Sequence, residues 1–94
     1  MDSMSASQQN ITERARRDLA HRLGLNESDV AVSSVAQAEF PDASLGAPVE
    51  DEMSAQVITP GWRIRLVAKG QTFEYRATER QLRLVNFKGE NYRI

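Results

Sequence analysis

The 94-residue chain has no cysteine. That excludes disulfide staples, thiolate metal ligands and cysteine nucleophiles, and leaves packing as the source of stability. Histidine occurs once, at His21. A nucleophile–base pair would have to be built around that one ring, which falls on a polar helical stripe, so no catalytic residue is expected. No apolar run approaches the roughly 18 to 20 residues that span a bilayer. The start, MDSMSASQQN, lacks the basic beginning and apolar stretch of a secretory signal. No glycine-rich phosphate-binding motif and no internal repeat is visible. The expectation is a cytoplasmic domain with no membrane partner and no cofactor.

What remains is enough to fold. Ninety-four residues supply one core rather than two. With 40% hydrophobic and 27% charged residues, the chain is too mixed to read as disordered. The net charge of −1 conceals an asymmetry, because residues 1–60 hold four arginines against ten acidic residues and residues 61–94 hold eight basic against three acidic. Such a chain either neutralises itself on folding or presents a basic surface to an acidic partner.

Residues 1–9 are small and polar and read as a flexible tail. Asn10 looks like a helix N-cap, with Glu13 completing a capping box. Ile11, Ala15, Leu19 and Leu23 recur at i+4, and Gly24 supplies a left-handed stop, so a helix is predicted over Ile11 to Leu23. Arg14, Arg17 and His21 share its opposite stripe. VAVSSVAQAEF reads as a strand whose alternation shifts at Ser33 and Ser34, the mark of a bulge. SAQVIT reads as a short strand ended by Pro60 and Gly61. WRIRLVAK alternates, with Trp62, Ile64, Leu66 and Ala68 on one face and Arg63, Arg65, Val67 and Lys69 on the other. Gly70 turns the chain into QTFEYRAT, where Phe73, Tyr75 and Ala77 face inward, and LRLVNF adds Leu82 and Leu84. Residues 88–94 read as a loosely held tail, with Tyr92 and Ile94 able to pack back, leaving residues 10–87 as the domain. The predicted architecture is α+β: one N-terminal helix on the apolar face of a four- to five-stranded antiparallel sheet.

Two surfaces stand out. Arg63, Arg65, Arg76 and Arg83 project from the uncovered sheet face and could collect phosphates. Against nucleic acid, Trp62, Phe73 and Tyr75 fall on the inward set, which removes the stacking platform of a sheet-type single-strand binder. Glu50, Asp51 and Glu52 are consecutive, so in coil they diverge rather than converge on a cation, and no metal site is expected.

The segments ARRDLAHRLGL, FPDASLGAP and QVITPGWRIRLVAKGQTFEYR resemble a family of small, functionally uncharacterised bacterial domains built as one helix preceding an antiparallel sheet. The resemblance covers roughly residues 15–84. That family carries a cysteine where Ala47 stands and often another near the C-terminus; this chain has neither, so a thiol role cannot apply to it. The general shape also resembles cystatin-like and PepSY-like domains, whose implied roles are binding or inhibition, an analogy at the level of fold.

The long connection between the first two strands draws these threads together. Pro41, Gly46, Pro48, Pro60 and Gly61 restrict it, and Leu45 is placed to anchor it. A long loop in so small a domain is usually functional or disordered. The expectation is a non-catalytic protein-interaction module, a monomer or weak homodimer, whose recognition loop 41–55 uses Asp42, Leu45, Glu50, Asp51 and Glu52. Inhibition of another protein is one form of this. Nucleic-acid binding through the arginine face is the alternative. Like charges on neighbouring strands repel, so Glu50 to Glu52 should fold toward the arginines, held by weak, exposed pairs that salt loosens.

Overall fold

A computed structural model describes residues 6–94. The first five residues of the expected tail lie outside the described residues; the rest of it is helical. Helix α1 runs Ala6–Leu23, one turn earlier than the apolar stripe indicates. Thr12 Oγ1 donates back to the Gln8 carbonyl at 2.7 Å, which puts Asn10 inside the helix rather than at its cap. The end matches expectation. Gly24 has φ 68°, and the Leu25 amide reaches the Ala20 carbonyl at 2.9 Å, closing a Schellman-type turn. No helix among the described residues is long and apolar enough to cross a membrane.

After a 3-10 turn at Glu27–Asp29 come five strands: β1 Ala31–Phe40, β2 Thr59–Ala68, β3 Gln71–Ala77, β4 Leu82–Phe87 and β5 Glu90–Arg93. They lie side by side in chain order, every pair antiparallel. Lys69 and Gly70, at φ 51° and 72°, form the two-residue turn whose left-handed pair matches the twist of the β2–β3 hairpin. The expected bulge falls between Val32 and Ser34.

Two expected boundaries are displaced. Residues 54–58 form no strand, and Pro60 and Gly61 lie inside β2 rather than ending one. Pro60 is tolerated because the β2–β3 pairing stops at Trp62 opposite Ala77, so no β3 carbonyl waits for its missing N–H. Gly61 is required by proximity: a Cβ there would lie 2.2 Å from the Ala77 carbonyl oxygen. Residues 90–93 likewise form β5 instead of a loose tail. Tyr92 packs edge-on against Phe87 at 6.1 Å between ring centroids.

Sheet and helix meet as the two periodicities require. Ile11, Ala15 and Leu19 of α1 are buried against Ile64, Leu66, Tyr75, Ala77, Leu82 and Leu84. A polar tether crosses this layer, the Tyr75 hydroxyl donating to Asp18 Oδ2 at 2.7 Å. Burial, reinforced by that carboxylate, raises the Tyr75 pKa and keeps the phenol protonated.

Candidate interaction site on the strap

The opposite face of the sheet is not bare. Residues 41–58, between β1 and β2, cross it as a strap. The strap starts on Asp42, whose Oδ1 accepts from the Ser44 amide at 3.0 Å, the Ser44 hydroxyl at 2.7 Å and the Gly46 amide at 3.0 Å. These donors, the Gly46 amide foremost, hold the Asp42 carboxyl below its ordinary pKa. The knot forces Leu45 to φ 61°, a conformation costly for a bulky residue. Its compensation is burial: Leu45, Ala47 and Phe40 form a small apolar plug on this side of the sheet.

Strap carbonyls then become ligands for long polar side chains of the sheet. Gln81 Nε2 donates to Ala43 O at 2.9 Å, Arg76 Nη1 to Leu45 O at 2.9 Å, Arg83 Nη1 to Ala47 O at 3.2 Å, and Asn91 Nδ2 to Pro48 O at 2.9 Å. Glu52 completes the set with both carboxylate oxygens, at 2.5 Å from Arg83 Nη1 and 2.6 Å from Nη2. This bidentate pair is the strong form of a charge-assisted hydrogen bond. The Arg83 hydrogen bonds lower the Glu52 pKa to about 2.

The sheet register explains the need for these acids. Arg63 stands opposite Arg76, Arg76 opposite Arg83, and Arg83 opposite Arg93, so one row of four arginines crosses β2 to β5. Glu74 lies within 4 Å of Arg63, Arg65 and Arg76, at 3.2, 3.8 and 2.8 Å. Glu52 serves the other end, with Arg93 3.7 Å away. The guanidinium carbons of Arg63 and Arg76 also lie 5.7 and 5.6 Å from the Phe40 ring centroid.

The anticipated site residues therefore separate. Asp42, Leu45 and Glu52 hold the strap together: Leu45 is buried, and the partly covered carboxylates of Asp42 and Glu52 are engaged by strap donors and by Arg83. Glu50 and Asp51 are exposed at the outer turn and make no ion pair among the described residues. Arg83, expected on an open face, is 2% exposed, and Arg76 is largely covered; only Arg65 keeps about half its side chain in solvent. The pairs expected to be weak and exposed thus include one that is buried, where salt screens little. Arg93, Gln81 and Asn91 were missed, two of them because they lie in the segment read as a tail.

A family model for a domain of unknown function, DUF8738, matches residues 12–85. The chain belongs to that family. The DUF8738 span contains the whole strap and three of the four arginines of the row, leaving out Arg93. Within that span, the turn residues 41–46 show how the strap is built. Ser44 answers Asp42, Leu45 is the plug, and a Cβ at Gly46 would sit 2.9 Å from Arg76 Nη1. No curated protein matches the chain, and neither does any solved structure.

Proposed function

We propose that the domain is a non-catalytic protein-interaction module that presents the outer side of the strap, residues 49–58, to another protein, inhibition of that protein being one form of the interaction. One observation carries this reading. The strap is fixed from beneath by Leu45 and the Glu52–Arg83 pair, yet its next residue, Met53, is 97% exposed, followed by exposed Val57 and Ile58. Large apolar side chains held outward on an anchored segment favour a protein partner, and an anchored segment loses little entropy on binding. Glu50 and Asp51 beside Met53 favour basic residues on that partner.

Nucleic acid is the weaker reading. Arg76 and Arg83 spend their donors on strap carbonyls and carboxylates, and Glu74 and Glu52 stand where phosphates would have to sit. The discriminating experiment is affinity capture from native extract with the unmodified chain and with Glu50→Gln/Asp51→Asn/Met53→Ser, changes that leave the buried anchors intact. A protein retained by the first and lost from the second is the expected result. An unchanged set of captured proteins, or capture of nucleic acid at low salt abolished by Arg65→Glu, overturns the proposal.

A further inference from the structure

The two edges of the sheet differ in kind. β5 is four residues long, carries Glu90 and Arg93, and its pairing with β4 is interrupted between Leu84 and Phe87. Short length, charge and irregularity are the devices that stop an edge from recruiting another strand. The β1 edge has ten residues and a single charge, Glu39. Beyond its bulge it pairs regularly with β2 from Ser34 to Phe40, and no hydrogen bond among the described residues reaches its outer side. Most of its side chains are exposed, including Val32 at 43%.

Beside this edge, where β1, β2 and the β3–β4 turn meet, lies a solvent-open cavity of about 820 Å³ lined by Gln37, Glu39, Pro60, Trp62, Glu79 and Arg80. Gln37 stands opposite Trp62 and Glu39 opposite Pro60 in the ladder. Alternate residues of an added strand would therefore point toward the Trp62 wall. We propose that β1 is a docking edge for an extended segment of a partner protein, which joins the sheet as a sixth strand and seats one large apolar side chain in the cavity at Trp62. Main-chain hydrogen bonds supply affinity in this mode, and the pocket for one alternate side chain supplies specificity.

The chemistry of the occupant follows from the wall. The residue at Trp62 is aromatic or a long aliphatic, its neighbours are β-branched and uncharged to match Ala31–Ala38, and a lysine or arginine lies beside Glu39, which has no ion pair among the described residues. A second copy of β1 fits poorly. Between Ala31 and Glu39 it has no apolar side chain larger than valine, too small for the cavity. This surface is separate from the strap, and the two readings fail independently.

The test is selection of displayed random peptides of about twelve residues, long enough to span a strand, on the immobilised full chain. Hydrogen exchange on the complex with the enriched synthetic peptide follows. Alternating β-branched residues around one aromatic or long aliphatic, with a basic residue nearby, are expected. The peptide should slow alternate amides of residues 34–39. Trp62→Ala should weaken binding by at least about tenfold, as for an interface anchor, and Glu39→Gln by about twofold to fivefold, as for an exposed pair. Because Trp62 also touches the core, Ala36→Glu on the exposed edge is the second variant, its carboxylate standing opposite Arg63. It should abolish binding with the thermal midpoint unmoved, whereas Met53→Ser on the strap should leave binding intact. Peptides that protect residues 49–58 instead, no enrichment, or a free protein that sediments as a dimer with the β1 amides already protected would each overturn the proposal.

Discussion

The sheet is covered on both faces, by opposite means. On one, α1 buries Ile11, Ala15 and Leu19 against aliphatic and aromatic side chains, with the Tyr75–Asp18 bond as a polar tether. On the other, the strap has only the Leu45, Ala47 and Phe40 plug, and is held mainly by side chains donating to its carbonyls and by Glu52 on Arg83. Apolar packing tolerates adjustment, because its attraction has no direction. A network of directed bonds around a buried charge does not, since removing one partner strands the other.

The comparison is broken most forcefully at Arg83. Arg83→Met should cost about 3 to 5 kcal/mol, the penalty for leaving one member of a buried pair alone. Chemical denaturation measures it, and adding Glu52→Leu should recover most of the loss. If the single change costs under about 1 kcal/mol, the strap is a passive lid. On the helix face Leu19→Ala should cost about 2 to 5 kcal/mol; an unmoved denaturation midpoint would remove the helix from the core.

Acid sharpens the contrast. Glu52 has its pKa lowered from 4.5 to about 2 in the folded chain, so its contribution is complete above pH 4.5 and disappears as the pH falls toward 2. Unfolding free energies of the unmodified chain and Glu52→Gln should therefore converge across that window. Parallel curves would contradict the pair. The smallest effect belongs to Glu50→Ala at the outer turn, expected within about 0.5 kcal/mol, because the side chain touches nothing that holds the strap.

Much of the helix face was legible. The i+4 stripe Ile11, Ala15, Leu19 and the alternation of Trp62 to Ala68 each state a face, and the α+β arrangement follows from joining them. The first turn of α1 was not, because Ala6 to Gln9 have no apolar period and Asn10 imitates a cap. β5 escaped because four residues, two of them charged, follow a turn with left-handed Asn86, Lys88 and Gly89. The approach of Glu52 to the arginines was readable from charge, although Glu50 and Asp51 stay at the exposed turn. The burial of that contact was not: a charged residue is by default exposed, and what covers Arg83 comes from 31 positions away in the chain.

That separation orders events in time. Phe40 opposite Thr59 closes the strap into a loop as soon as β1 and β2 meet. Glu52 has no site until β4 has brought Arg83 beside Arg76. The anchor is therefore expected to form late, after most of the sheet has assembled. Changes at Glu52 should speed unfolding and leave the folding rate nearly untouched, with φ values near zero, whereas Leu19 and Ile64 should slow folding. That outcome would make the ion pair a determinant of how long the native state lasts more than of how quickly it is reached.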